Sequence, residues 1–123
     1  MIVNEYFKDT ELACPCGCGL MPSKYAIEKL YALRLMYADT IIINSAARCN
    51  EYNYKIGGSK KSYHTNRNDE SFPLRPCAFD IRWNNNIKSI LEYAMNIGFA
   101  GFGFNPGNFL HIDLRLSGAI WTY

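Results

Sequence analysis

The chain has 123 residues, of which 49% are hydrophobic and 15% aromatic, and its formal net charge is +2 at pH 7. This length and apolar content predict one globular domain over residues 1–123 and exclude both a disordered protein and a two-domain architecture. The basic residues form no long block, so nucleic acid is not an expected partner.

The sequence also contains no apolar run long enough to span a bilayer, so membrane insertion is not expected. The N-terminal residues include the acidic Glu5 and lack the basic and apolar regions of a signal peptide. We therefore expect synthesis in the cytoplasm without a signal peptide. A role outside the cytoplasm would require release by another factor.

Five cysteines are an odd number, so they cannot all pair within the chain. Cys14, Cys16 and Cys18 lie in one tight turn, whereas Cys49 and Cys77 stand alone in the sequence. The clustered three could belong to a structural metal site, but structural zinc usually takes cysteine pairs with about two to four residues between them. The favoured interpretation is a turn of reduced thiols, typical of a reducing compartment.

The predicted elements begin with a short irregular or helical segment over residues 4–12. A helix is predicted over residues 24–38, with Ser23 as its possible N-cap, because apolar residues recur there at near-helical spacing. The continuous β-branched run at 41–44 predicts a short buried strand. A brief helix over 50–56 is expected to follow and to lead into a glycine pair.

Residues 65–76 are polar and include two prolines, which predicts a surface loop. The remaining predicted elements are a strand over 78–83, a helix over 87–97 that ends at Gly98, and a hairpin with strands over 99–104 and 109–114. Because helices precede and separate the strands, the predicted fold class is α+β, with a small antiparallel sheet flanked by helices.

The two histidines of the chain lie in contexts that should hold their rings still. His64 ends a turn rich in glycine and serine, and His111 lies in a short apolar run that predicts a strand. With the carboxylate of Asp80 they offer two imidazole nitrogens and one oxygen, a donor set that suits zinc and leaves a fourth position for water. A lone histidine is more often structural than a ligand, so this hypothesis depends on the three residues together.

Asp113 follows His111 by two positions and therefore lies on the same face of the predicted strand. It could accept a proton as a general base, or it could orient the His111 imidazole, and the sequence leaves both roles open. A surface ion pair with Arg115 is the structural alternative.

The order of these motifs resembles that of the zinc D-alanyl-D-alanine carboxypeptidases, a family that also includes vancomycin-resistance D,D-dipeptidases and phage endolysin peptidases. Four segments carry the resemblance over nearly the whole chain: residues 43–48, 57–64, 78–81 and 103–113. The chain is most similar to the small single-domain branch found in bacteriophage genomes. The resemblance implies a Hedgehog/D-Ala-D-Ala peptidase-like fold.

By the same resemblance, His64, Asp80 and His111 would be the ligands of one catalytic Zn²⁺ ion. Ser62 would hydrogen-bond the substrate, at a terminal carboxylate. Arg48 would bind substrate by polarising the scissile carbonyl and would stabilise the oxyanion, a task suited to its fixed fork of donors. The structural alternative for Arg48 is a buried ion pair.

The implied reaction is hydrolysis of an amide bond in a peptidoglycan stem peptide, with zinc-bound water as the nucleophile and Asp113 as the catalytic base. Two alternatives remain: an L,D- or D,D-endopeptidase endolysin, and an inactive module that binds the cell wall or a virion protein. We expect a monomer whose partner is a peptidoglycan peptide. It would act on the wall after release, or as part of a phage virion.

Two features depart from the family's usual pattern. Residues 65–75 form an insertion between the first two predicted ligands, and this loop could bulge outward at little entropic cost and bring its acidic side chains near the cleft. Asn108 and Phe109 occupy positions where many relatives have an acid or a histidine. Neither side chain takes a proton at neutral pH, which leaves Asp113 as the candidate base.

Overall fold

The computed structural model describes residues 3–66, 75–84 and 86–123. The helices in these ranges are α1 (Asp9–Leu12), α2 (Lys24–Tyr37), α3 (Asn50–Lys55) and α4 (Ile87–Ile97), and the strands are β1 (Ile41–Ser45), β2 (Ala78–Trp83), β3 (Gly101–Asn105), β4 (Phe109–Asp113) and β5 (Ala119–Thr122). The predicted α+β class is confirmed. Among the described residues, no helix has the length and apolar character required to cross a membrane.

The five strands form one sheet in the order β1-β2-β4-β3-β5. The first four strands pair antiparallel, as the sequence predicts. At the edge, β5 pairs parallel with β3, and this strand is missing from the sequence prediction. Its residues are half-buried or exposed, so no alternation of buried apolar and exposed polar residues marks it.

The two central strands, β2 and β4, give the sheet two different buried faces. On one face, apolar side chains pack with α2 and α4 in the hydrophobic core; they include Phe79, Ile81, Leu110 and Ile112. Full burial of each contributes about 1.5–3 kcal/mol to folding. Successive strand residues point to opposite sides. The polar residues that alternate with these apolar ones therefore share the other face, where the candidate site lies.

The two long helices begin and end as the sequence predicts to within one residue. The Ser23 hydroxyl accepts a hydrogen bond from the Ala26 N–H at 3.2 Å, which makes it the N-cap of α2. This helix ends at Tyr37 because Ala38 adopts a left-handed conformation with φ of 59°. Gly98 caps α4 with φ of 125°, a value that favours glycine.

The predicted surface loop over 65–76 differs from the structure at both of its ends. Thr65 and Pro76 are buried, and Thr65 forms an isolated parallel bridge with Arg48. The Cys77 N–H also donates to the carbonyl of Tyr63 at 2.9 Å, so the start of β2 lies beside the segment that carries His64. Residues 67–74, which include the acidic side chains considered for the cleft, lie outside the described residues.

Cys49 stands alone in the sequence, but in the structure it lies beside other cysteines. The turn between β1 and α3 packs against the loop that follows α1, and the Ala47 N–H donates to the carbonyl of Leu12 at 3.2 Å. This contact brings the Cys49 thiol beside the three thiols of the N-terminal cysteine cluster. Sequence separation hid this neighbourhood because the two segments meet only in the folded chain.

Candidate metal centre

His64, Asp80 and His111 converge on one point at the polar face of the sheet. His64 Nε2 lies 3.1 Å from Asp80 Oδ1 and 3.2 Å from His111 Nδ1, and His111 Nδ1 lies 3.0 Å from Asp80 Oδ1. All three residues are buried, with at most 5% of their surface exposed. The structure therefore brings together the three residues that the sequence predicts as ligands. We call the three atoms His64 Nε2, Asp80 Oδ1 and His111 Nδ1 the donor triangle.

The register of the sheet and one turn position these side chains. Asp80 on β2 pairs directly with His111 on β4, so both side chains project from the same face. His64 is held outside the sheet by its backbone: its N–H donates to the Ser62 hydroxyl at 3.2 Å, and its carbonyl accepts from the Arg48 N–H at 2.8 Å. Ser62 thus shapes the turn before His64, in addition to lining the cleft.

The partners of the two imidazoles determine where their protons reside. His64 Nδ1 lies 2.6 Å from the carbonyl oxygen of Ala46, which only accepts, so Nδ1 carries the proton. His111 Nε2 lies 2.7 Å from Asp113 Oδ2 and donates to that carboxylate. When neutral, each ring therefore directs a lone pair, at His64 Nε2 and at His111 Nδ1, toward Asp80 Oδ1.

With both imidazoles neutral, three acceptors face one another at 3.0–3.2 Å, an arrangement that repels until a cation, either a proton on His111 Nδ1 or a metal ion, neutralises it. Four donors at about 2.0–2.1 Å from a tetrahedral zinc ion lie about 3.3 Å apart. The donor triangle would need to open by only a few tenths of an ångström to match this spacing. Its atoms and its size therefore fit a zinc ion.

Burial and neighbouring charges act on the protonation of the three donors. Burial lowers the pKa of His64, which favours its neutral form. Burial opposes ionisation of Asp80, but its bonds with His111 and His64 outweigh that cost and hold its pKa well below the usual range. For His111, burial is opposed by the bonds to Asp113 and Asp80, and the net pKa is raised. A proton and a metal ion would thus compete for His111 Nδ1.

Asp113 contacts the side of His111 that faces away from the donor triangle. It is fully buried, and beyond His111 it accepts a forked pair of bonds from Arg115, Nε to Oδ1 at 2.8 Å and Nη2 to Oδ2 at 2.7 Å. Burial opposes its ionisation, but Arg115 and His111 lower its pKa to about 2. The pair with Arg115 is therefore buried at the carboxylate end, and these contacts are those of a group that orients His111.

Arg48 contacts the third member of the triangle. Its Nη2 donates to Asp80 Oδ2 at 3.0 Å, while Nε donates to the Ser45 hydroxyl at 2.9 Å and Nη1 to Asn53 Oδ1 at 3.3 Å. Because Oδ2 is bound by the guanidinium, Oδ1 is the oxygen that turns toward the two histidines. Arg48 forms the buried ion pair considered as its structural alternative, and it also lines the cleft over the site.

An open cleft of about 760 Å³ leads to the donor triangle. The cations that line it are Arg48, Lys61, Arg75 and Arg115, and its aromatic residues are Tyr63, Phe109, Trp121 and Tyr123. The centroids of the Trp121 and His111 rings lie 5.1 Å apart. Trp121 of β5 and Tyr123, which directly follows that strand, form an aromatic wall of the cleft that is absent from the sequence prediction, as β5 is.

The available signal for the wall was the pair of glycines in β3. A Cβ atom at Gly103 would lie 2.5 Å from the Trp121 ring, and one at Gly101 would collide with the Asp113 carboxylate. Glycine inside a strand often marks the close approach of another group. Here those groups are the aromatic wall and the carboxylate behind His111.

A protein-family model described as Peptidase M15 matches residues 5–113. Comparison with curated proteins gives no match. The matched range contains the donor triangle together with Arg48, Ser62 and Asp113. It ends with β4, so Trp121 of β5 and Tyr123 lie beyond it.

Proposed function

The chain belongs to the peptidase M15 family, and on this basis we propose that it is a zinc-dependent peptidase that hydrolyses amide bonds of peptidoglycan stem peptides, with the action of a D-Ala-D-Ala carboxypeptidase. The observation that carries the proposal is the donor triangle, in which two imidazole nitrogens and one carboxylate oxygen meet within 3.0–3.2 Å of one another. The cell wall is then the site of action, reached after release from a cell or as part of a phage virion.

A zinc ion held by His64, Asp80 and His111 would polarise the scissile carbonyl and lower the pKa of a coordinated water. The protein's own groups have supporting roles around it. Arg48 keeps Asp80 Oδ1 aimed at the histidines and presents its guanidinium to the cleft, where it would stabilise negative charge on the carbonyl oxygen. Asp113 keeps the proton of His111 on Nε2, so that Nδ1 remains a donor to metal.

The charge of the cleft favours an exopeptidase within this proposal. Lys61 and Arg75 line the same cleft as the donor triangle, together with Arg115, whose charge is balanced by Asp113. A carboxypeptidase must bind the free carboxylate of its substrate, and cationic side chains recognise that group. Ser62, on the same wall, would add a hydroxyl donor to the carboxylate. An endopeptidase, which binds chain on both sides of the bond, has no need of this charge.

Two synthetic stem peptides test the proposal, one ending in a free D-Ala-D-Ala carboxylate and the other carrying the same sequence with a C-terminal amide. The zinc-loaded protein should release the terminal D-alanine from the first and cut the amidated peptide at least about 10-fold more slowly, because one lost charged hydrogen bond costs about 1.5–3 kcal/mol. Mass spectrometry of the products identifies the bond. His64→Ala should abolish release, whereas Lys60→Ala, an exposed residue outside the cleft lining, should not.

The same experiment separates the rival functions. Equal cleavage of both peptides, or cuts inside purified peptidoglycan only, would identify an endopeptidase. A zinc-loaded protein that binds peptidoglycan and releases no product from any of these substrates would be an inactive binding module. Full activity after complete removal of zinc would refute the metallopeptidase proposal itself.

A further inference from the structure

Four of the five cysteines form a second cluster of metal donors, away from the donor triangle. Cys14 Sγ lies 3.5 Å from Cys16 Sγ, and Cys16 Sγ lies 3.6 Å from Cys49 Sγ. With Cys18, all four sulfur atoms lie within 4.8 Å of one another. We propose that these four thiols bind a second zinc ion, as thiolates, in a structural site with no open position.

The spacing of the sulfur atoms supports a tetrahedral site. A zinc–sulfur bond of about 2.3 Å places the four sulfurs about 3.8 Å apart, close to the observed separations. A disulfide would need a sulfur–sulfur distance of about 2.05 Å, and all four residues are free cysteines. Four protein donors fill a tetrahedral coordination sphere, which is the arrangement of structural zinc, whereas catalytic zinc keeps one position open.

The unusual one-residue gaps between Cys14, Cys16 and Cys18 have a conformational explanation. Gly17 and Gly19 adopt φ values of 87° and 86°, which other residues rarely adopt. These turns fold the loop around its own sulfur atoms. The fourth donor, Cys49, lies 33 positions after Cys16 and joins only through the tertiary structure. The spacing argument against a metal site therefore does not hold for this loop.

Backbone N–H groups also point at the sulfur atoms. The Cys49 N–H donates to Cys14 Sγ at 3.3 Å, and the Tyr52 N–H donates to Cys49 Sγ at 3.4 Å. Such donors stabilise the negative charge of thiolates that bind a metal. The cluster thus has its donors, its spacing and its supporting hydrogen bonds in place.

The position of the cluster gives the ion a mechanical role. Cys49 directly follows Arg48, whose guanidinium holds Asp80. A zinc ion in the cluster would fasten the loop after α1 to this turn, and binding to the folded arrangement would stabilise it. It would act as a positioning device for Arg48 and would not itself touch substrate. The inference does not depend on the proposed peptidase activity.

Metal counting on the purified full-length chain tests the inference. Inductively coupled plasma mass spectrometry should find about two zinc ions per chain, one for each donor group. Cys16→Ser should lose about one zinc ion, because it removes one of the four sulfur donors. The variant should still fold, because Cys16 is exposed and its replacement leaves the core intact. Cys77→Ala, which removes the one cysteine outside the cluster, should still bind about two. His64→Ala should also lose one ion, but from the other site.

Spectroscopy distinguishes the two sites independently of activity. With cobalt(II) in place of zinc, thiolate charge-transfer absorption should be present in wild type and in His64→Ala and absent from Cys16→Ser. X-ray absorption of the zinc-loaded His64→Ala variant should show only sulfur neighbours at about 2.3 Å. Equal zinc content in wild type and Cys16→Ser, with both folded by circular dichroism, would overturn the inference. So would a disulfide within the cluster in protein purified without oxidant.

Discussion

Asp113→Asn is the substitution that best separates the two roles left open for this residue. The change keeps the shape of the side chain and removes its charge. In the folded protein the two oxygens of Asp113 accept from His111 Nε2 and from the Arg115 guanidinium. An amide has one acceptor and one donor group, so its NH₂ must face one of these two donors. Turned toward His111, it would favour a proton on Nδ1, inside the donor triangle.

The magnitude follows from these contacts. Loss of a carboxylate that orients a metal-binding histidine weakens metal affinity by about 10- to 100-fold, or about 1.4–2.7 kcal/mol. The fold should lose about 2–3 kcal/mol, less than the roughly 3–5 kcal/mol cost of breaking a fully buried ion pair, because the Arg115 side chain is 21% exposed and can regain water. Both losses should appear together.

The assay is competition for zinc with a chromophoric chelator, performed in a Cys16→Ser background so that only the donor triangle contributes. Urea unfolding gives the change in stability. Asp39→Asn is the matched control, since it makes the same chemical change in the turn before β1, where the carboxylate accepts from the Thr40 N–H. If Asp113→Asn binds zinc within about twofold of wild type while turnover is lost, the orienting role is refuted and Asp113 is the general base.

Three further outcomes are expected. Gly103→Ala should destabilise the fold by about 1–3 kcal/mol in urea unfolding, because its Cβ would lie 2.5 Å from the Trp121 indole of β5. Gly118→Ala is the control: its Cβ would lie 3.7 Å from the nearest atom, and its stability should stay within about 0.5 kcal/mol of wild type. Arg48→Lys should weaken zinc binding at the triangle by about 3- to 10-fold, since a point charge cannot replace the fork that holds Asp80 and its neighbours; unchanged affinity would contradict that role. Burial raises the pKa of Cys77 to about 12, so iodoacetamide at pH 8 should modify this thiol about 10³-fold more slowly than an ordinary one. Peptide mass spectrometry follows the modification. Modification of the folded protein at the ordinary rate would disprove this protection.

Local patterns were sufficient for most of the secondary structure. The helices α2 and α4 were predicted because apolar spacing, an N-cap serine and a terminal glycine all act within a few residues of one another. The strands β1, β2 and β4 were predicted because their apolar runs are short and bounded by turns. The edge strand β5 was missed because its pairing with β3 is made across the sheet and leaves no periodic trace in four half-exposed residues.

The chemistry available at the site can be read along the chain: two histidines, an acid on a strand, and a second acid two positions after the last histidine. Side-chain type and strand alternation are local properties, and both can be read along the chain. Which atoms meet depends on how the elements pack. The register between β2 and β4 sets Asp80 against His111, and the packing of two distant turns adds Cys49 to the cysteine cluster. Contacts between segments far apart in the chain depend on the packing of the whole fold, which no local pattern encodes.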